Sequence, residues 1–141
     1  MPTPSTKVLL VEDSMFLRLA NERVLARAGY DVSTAGDGEE GLRMAFEVLP
    51  DIILLDMMLP KLSGPDLLRR LKEDSRTAAI PVVILTSLSQ KNEERFLQEG
   101  AAAYFEKSRL ELDKSSDLLV ATVESVLRKL GDAKRSAAAA V

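Results

Sequence analysis

Three short aliphatic runs without alternating polar residues constrain the fold of this chain more than any other feature. They cover residues 8–11, 52–55 and 82–85. A strand with one face in water alternates apolar and polar residues, whereas a strand of a parallel sheet is covered on both faces and reads as a continuous apolar run. The runs therefore predict buried strands of a parallel sheet.

Segments with helical periodicity separate the apolar runs, and this alternation predicts βα units and an α/β fold. We expect Gly29 and Gly100 to end two of the helices. The predicted strands are 7–11, 31–35, 51–55, 82–85 and 102–105, and the predicted helices are 14–28, one starting at Asp37, one starting at Pro65, 90–99 and 116–130. The expected domain organisation is an N-terminal tail at 1–6, one domain at 7–130, and a C-terminal tail or linker stub at 131–141.

The composition excludes several kinds of chemistry. The 141 residues contain no cysteine and no histidine, and the net charge is −3. Disulfides and thiolate ligands are therefore excluded, and any imidazole that a reaction needs must come from another molecule. The sequence contains no basic footprint for nucleic acid and no apolar run of membrane-spanning length, and we do not expect residues 1–6 to be a signal peptide. We expect a cytoplasmic domain without direct nucleic-acid or membrane contacts.

Three acidic residues follow directly on two of the apolar runs. Glu12 and Asp13 come after the first run, and Asp56 comes after the run at 52–55. Open α/β sheets bind their ligands at the carboxyl ends of the strands, so these carboxylates are candidates for a site. Massed carboxylates repel one another, and a cation such as Mg2+ would neutralise them. Helix caps and loop acids are the alternative, because Asp is common at such positions.

Further residues stand at the same end of the predicted sheet: the Leu59-Pro60…Gly64 loop, Thr86 after the fourth strand and Lys107 after the fifth. Together with the acids they resemble the receiver domain of two-component response regulators, of the stand-alone, chemotaxis-regulator type. The resemblance covers about residues 7–130. It implies a doubly wound, flavodoxin-like fold with a five-stranded parallel sheet in the order 2-1-3-4-5 and helices on both faces.

The resemblance also implies roles for the acids. Asp56 would be the phosphoacceptor, a carboxylate nucleophile that becomes an acyl phosphate. Mg2+ would be bound directly by Asp13, Asp56 and the backbone carbonyl of Met58, and by Glu12 through water. Phosphoryl transfer needs positioning and charge neutralisation more than acid–base chemistry, which fits this set of groups.

Thr86, Lys107 and Tyr104 complete the implied machinery. Thr86 and Lys107 would contact phosphoryl oxygens, although a plain strand-end threonine and a solvated lysine are the simpler interpretations. Tyr104 stands three residues before Lys107. Its ring would swing inward with Thr86 and change the face formed by the helix at 90–99, the fifth strand and the last helix. The alternative is a half-buried strand tyrosine that does not move.

Several positions depart from the family pattern or remain open. Glu12 replaces a frequent Asp, and Ser108 replaces a proline that is usually preceded by a cis bond. We expect the Lys107–Ser108 peptide to be trans, since a non-proline cis bond costs about 3 kcal/mol. Gly64 is expected either in a backbone conformation closed to other residues or simply at a helix start. Met58 and Leu88, both apolar, are expected to slow loss of the phosphoryl group.

The predicted function is that of a signalling module and not of an enzyme. A sensor histidine kinase or phosphotransfer protein would phosphorylate Asp56, and an unidentified protein would read the result from a monomer or weak dimer. Three alternatives are a Mg2+-dependent phosphatase, a receiver-like domain that is never phosphorylated, and a nucleotide- or flavin-binding domain. A phosphatase of this kind usually has a second acid two residues after the nucleophile, where this chain has Met58. A nucleotide- or flavin-binding domain would need a glycine-rich phosphate loop, which the sequence lacks.

Overall fold

One parallel sheet organises the part of the chain that the computed structural model describes, residues 6–86, 97–106 and 113–139. Its five strands lie in the order β2-β1-β3-β4-β5. This confirms the predicted α/β doubly wound fold and its strand order. The strands are β1 Lys7–Val11, β2 Asp31–Ala35, β3 Ile52–Asp56, β4 Val82–Thr86 and β5 Ala103–Glu106.

Helices cover both faces of the sheet, as the uninterrupted apolar runs predict. The helices are α1 Met15–Arg27, α2 Gly38–Val48, α3 Gly64–Glu73 and a C-terminal helix, Asp113–Ala139. Alternate residues of each central strand enter two separate cores. One core joins the strands to α2 and α3 through Ala45, Leu67, Leu68 and Leu71, and the other joins them to α1 and the C-terminal helix through Leu25, Leu119, Val123 and Val126.

The helix starts point toward the carboxyl edge of the sheet, and polar side chains cap them. Ser14 Oγ accepts from the Leu17 N–H at 3.3 Å, and Ser63 Oγ accepts from the Asp66 N–H at 3.3 Å. The predicted cap of α2 is confirmed, because Asp37 Oδ1 accepts from the Glu40 N–H at 2.8 Å. These bonds satisfy amide groups that the first turn of a helix leaves without partners.

The two glycines predicted as helix stops have left-handed backbone conformations, with φ of 102° at Gly29 and 105° at Gly100. The helix predicted at 90–99 lies mostly outside the described residues, and only 97–98 are seen to be helical. The helix end predicted at Leu130 is wrong, because the C-terminal helix continues to Ala139. A glycine inside a helix costs only about 1 kcal/mol, and the alanines that follow Gly131 are the best helix formers. The domain boundaries stay a prediction.

The described helices include none that is both long enough and apolar enough to cross a bilayer.

Lys72 of α3 closes the loop between α3 and β4. Its ammonium donates to the carbonyl oxygens of Ala78 and Ile80, both at 3.0 Å. The stem of the side chain packs against Gly100, where a Cβ would lie 3.2 Å from Lys72 Cγ. Burial lowers the pKa of Lys72. The ammonium therefore replaces water as the donor for two loop carbonyls.

We predict that Lys72→Met lowers the free energy of unfolding by about 1–3 kcal/mol, because two part-buried carbonyls lose a charged donor while the apolar stem stays. Urea denaturation monitored by circular dichroism measures the change. Lys129→Met, at an exposed position of the C-terminal helix, is the control. Equal stability of the Lys72→Met and Lys129→Met variants would contradict the role assigned to the ammonium.

Candidate functional site

The carboxylates of Glu12, Asp13 and Asp56 lie together at the carboxyl edge of the sheet. One oxygen of each lies within 4.8 Å of the others. The pairing of β1 with β3 sets this arrangement, because Val11 is opposite Leu55 and the acids follow these two residues. Ser14 and Ser63, rather than the acids, cap the helices that begin beside the cluster.

Burial differs among the three acids. Glu12 is fully buried and Asp56 is 2% exposed, whereas Asp13 is exposed. Three carboxylates so close together are a set of oxygen ligands that suits a hard divalent cation, and the cation would offset their mutual repulsion. The cluster could therefore hold a metal ion, which would enter past Asp13.

The loop that follows β3 fixes the carboxylate of Asp56. Asp56 Oδ1 accepts from the backbone N–H of Met58 at 3.1 Å, and the Met57 N–H donates to the Leu85 carbonyl at 3.2 Å. These bonds hold the loop to the neighbouring strand. A backbone N–H group thus contributes to the orientation of the Asp56 side chain.

Gly64 closes the same loop by a close approach of backbone to backbone. A Cβ at this position would lie 2.6 Å from the Asp56 carbonyl oxygen and 2.7 Å from Met57 Cα. Of the described glycines, Gly29 and Gly100 are the ones with left-handed φ. The expected special backbone conformation at Gly64 is therefore wrong, and its alternative, a glycine at a helix start, is what the structure contains. A larger residue is excluded at position 64 because a Cβ would clash with the backbone, and not because of the φ angle.

The other predicted site residues are placed unequally. Thr86 is the last residue of β4 and pairs with Glu106 of β5, but its side chain lies outside what the structure describes. Lys107, Ser108 and Leu88 also lie outside the described residues. Their roles, and the trans Lys107–Ser108 peptide, stay predictions.

Tyr104 and Met58 lie within the part of the chain that the structure describes. Tyr104 lies on β5 opposite Ile84, and its partly buried ring packs against the core on the α2 and α3 side. Both interpretations of Tyr104 share this placement, so its movement stays a prediction. Met58 has 68% of its side chain exposed beside Asp56, and its effect on phosphoryl lifetime also stays a prediction.

The sequence analysis missed a group of exposed apolar residues around the acids, which we call the apolar rim. Its members on α1 are Met15, Phe16 and Leu19, with exposed fractions of 64%, 79% and 49%, and Met58 adds to it from the β3–α3 loop. The available sequence signal was the pair Met15-Phe16, which only Ser14 separates from the acid pair. Arg18 was missed too: its Nη1 donates to the Glu12 carbonyl at 2.9 Å.

Comparison with known proteins agrees with this geometry. The family model of the response regulator receiver domain matches residues 8–118. The chain belongs to the response regulator receiver domain family. It is therefore a receiver domain of two-component systems, which are signalling systems, and the family predicted from the sequence is confirmed.

Individual relatives show the extent of the similarity. The chain is 39% identical over 102 residues to the DNA-binding dual master transcriptional regulator RpaA of Synechocystis, covering 72% of this chain and 42% of RpaA. It is 41% identical over 105 residues to the response regulator PleD of Caulobacter vibrioides, covering 73% of this chain and 23% of PleD. The chain thus spans less than half the length of these relatives.

Solved structures support the fold in the same way. The chemotaxis response regulator CheY4 of Vibrio cholerae superimposes with a TM-score of 0.78 at 28% identity, covering 86% of this chain and 98% of CheY4. The receiver domain of the Francisella response regulator 1452 gives a TM-score of 0.78 at 28% identity, covering 89% and 98%. The flavodoxin-like fold predicted from the sequence is confirmed.

We predict that Asp13→Ala raises the free energy of unfolding of the metal-free protein by about 1 kcal/mol, because it removes one of three charges that repel one another. Urea denaturation in the presence of a chelator measures the effect. Asp31→Ala, an exposed acid at the start of β2, is the control and is expected to change little. Loss of stability in Asp13→Ala would show that repulsion does not dominate the cluster.

Proposed function

We propose that this chain accepts a phosphoryl group on Asp56 from a phosphohistidine of a partner histidine kinase or phosphotransfer protein, with Mg2+ in the acidic cluster. The observation that carries the proposal is the environment of Asp56. Its carboxylate is 2% exposed and lies within 4.8 Å of two further acids. Such an arrangement is costly for stability and useful for chemistry that needs a cation next to a nucleophile.

In the proposed reaction a carboxylate oxygen of Asp56 attacks phosphorus. An O–P bond forms while the bond from phosphorus to the donor imidazole nitrogen breaks, and that nitrogen keeps the electron pair. The Met58 N–H holds the Asp56 carboxylate plane through Oδ1 at 3.1 Å. Orientation of this kind contributes much of the rate in phosphoryl transfer.

The residues present fit a magnesium ion. Asp13 and Asp56 would bind it directly, the Met58 carbonyl would supply a further oxygen, and Glu12 would act through a bound water. Bound Mg2+ supplies neutralisation of the charge on the transferring phosphoryl oxygens. Thr86 and Lys107 would contact the same phosphoryl oxygens.

The surroundings of the site favour a donor carried by a protein. The chain has no histidine of its own, and the apolar rim borders the acids. Phe16 is 79% exposed and Met15 is 64% exposed. Several exposed apolar side chains close to a functional group are typical of a surface that another protein covers.

The proposed output surface includes β5 and the C-terminal helix. A groove of about 490 Å³ lies between them, lined by Ala102, Ala103, Leu118, Thr122 and neighbouring residues. In the proposed switch, movement of Thr86 and Tyr104 on phosphorylation changes this face, and a protein partner binds it. The proposed location is the cytoplasm. The partner protein recognises the phosphorylated state, and the domain itself does not contact DNA directly.

We predict that the unmodified protein gains one base-labile phosphoryl group when incubated with acetyl phosphate and Mg2+, and that Asp56→Asn does not, because the amide is not a nucleophile. Intact-mass spectrometry measures the uptake. Asp31→Asn is the control for a change of Asp to Asn elsewhere. Uptake by Asp56→Asn would show that the nucleophile is misassigned, and absence of uptake by the unmodified protein would favour a receiver that is never phosphorylated.

We predict that a Met58→Asn, Leu88→Glu double variant loses its phosphoryl group at least about tenfold faster than the parent, because polar side chains there can orient an attacking water. The loss is followed by intact mass after removal of the donor. Met58→Leu keeps an apolar side chain and should retain the parental lifetime. A double variant as long-lived as the parent would exclude these side chains as determinants of the lifetime.

A further inference from the structure

The corner between β2 and α2 contributes no side chain to the acidic cluster, yet it contacts the segments that carry the acids. We call Gly36, Asp37 and Gly38 the β2–α2 corner. Glu40 fastens it from within, because its Oε2 accepts from the Gly36 N–H at 3.3 Å and its N–H donates to Asp37 Oδ1 at 2.8 Å. The corner is therefore held to the first turn of α2.

On one side the corner contacts the strand end that carries Glu12 and Asp13. The Glu12 N–H donates to the Ala35 carbonyl at 3.0 Å, and the Glu12 carbonyl accepts from Arg18 Nη1 at 2.9 Å. The same guanidinium lies against Gly36, where a Cβ would be 3.1 Å from Nη1. Gly36 thus leaves the space in which Arg18 reaches the backbone of the acid pair.

On the other side the corner contacts the loop that follows Asp56. The Gly38 N–H donates to the Pro60 carbonyl at 3.2 Å, and a Cβ on Gly38 would lie 1.8 Å from the Leu62 carbonyl oxygen. Lys61 Nζ is 3.5 Å from Asp37 Oδ2, and Lys61 has a φ of 68°. The loop is therefore pressed against the start of α2.

Charge supports the second contact. The backbone N–H of Glu40 chiefly holds the pKa of Asp37 below its ordinary value, with partial desolvation opposing and the Lys61 ammonium acting in the same direction. An exposed ion pair of this kind contributes little by itself. The close approach of Gly38 to Leu62 is consequently the main constraint, and the ion pair only favours the same loop position.

We propose that the β2–α2 corner is a positioning element for the phosphorylation site, which fixes the acid pair through Arg18 and the Asp56 loop through Gly38. This inference rests on the proposed function in one respect, namely that the site binds Mg2+ and a phosphoryl group. Groups that orient metal ligands from outside the ligand set change metal affinity by about 10- to 100-fold when they are removed. Arg18, Gly36 and Gly38 are positioning residues in this sense.

Gly38→Ala tests the contact with the Asp56 loop. In metal-free protein, hydrogen exchange is expected to accelerate selectively at the Met58 and Gly64 amides, which are bonded inside this loop, and not at the central strands. Mg2+ affinity is expected to fall about tenfold. Gly131→Ala is the matched control, since a Cβ there would meet no described atom within 4 Å. Exchange that accelerates everywhere, or nowhere, overturns the proposal.

The Arg18→Met variant tests the contact with the acid pair, because positioning and electrostatics predict opposite changes in Mg2+ affinity. Removal of a positive charge close to a cation site strengthens cation binding if only electrostatics matter. Loss of positioning instead weakens Mg2+ binding, by about tenfold, and Arg18→Lys should restore part of the affinity. Arg23→Met, exposed on the same helix, controls for charge. Unchanged or tighter binding by Arg18→Met overturns the proposal.

These experiments distinguish a failure of this inference from a failure of the proposed function. If the unmodified protein binds no Mg2+, the proposed function fails, while the metal-free exchange of Gly38→Ala still decides the role of the corner. If Gly38→Ala does not fold, the Arg18 variants decide it. Urea denaturation of every variant shows which of them retain a folded core.

Discussion

The pairing of β1 with β3 is the constraint on which the rest of the structure depends. Eight aliphatic residues of these strands, Val8 to Val11 and Ile52 to Leu55, are fully buried, and each contributes about 1.5–3 kcal/mol. The carboxylates that follow these strands, whose oxygens lie within 4.8 Å of one another, repel one another in the metal-free protein. Burial therefore outweighs repulsion, and the acids that follow the strands are held together.

Glycines and backbone groups next to the paired strands determine how the loops of the site pack. The Met58 N–H orients Asp56 at 3.1 Å, and Gly64 permits an approach that would place a Cβ 2.6 Å from the Asp56 carbonyl oxygen. Gly38 allows a similar approach from α2. Because these contacts involve main-chain atoms, the fold itself contributes to the position of the Asp56 carboxylate.

Local patterns in the sequence predicted the strands and the acids that follow them, whereas the strand order that brings the acids together was implied by the resemblance to receiver domains. Strand ends can be read from aliphatic runs, and parallel order brings Glu12 and Asp56 to one edge. The need for a glycine at position 64 could not be predicted in this way. It arises because the folded chain brings the Asp56 carbonyl oxygen close to the Gly64 Cα, where a Cβ would clash with it. The surface of α1 also escaped prediction, because Phe16 is 79% exposed while Asn21 is buried. Hydrophobic periodicity assigns these two residues to the opposite environments.

The exposure of the apolar rim gains a physical explanation from the proposed function. Phe16, at 79% exposed, and Met58, at 68% exposed, leave apolar surface in water beside buried acids, which the free domain does not need for stability. In the proposed function, a donor protein that covers the rim would displace water from the site and lower the effective dielectric constant there. Electrostatic interactions between the acids, the metal and the phosphoryl group would then strengthen. Docking and phosphoryl transfer would thus be coupled, because the surface that binds the donor would also exclude water from Asp56.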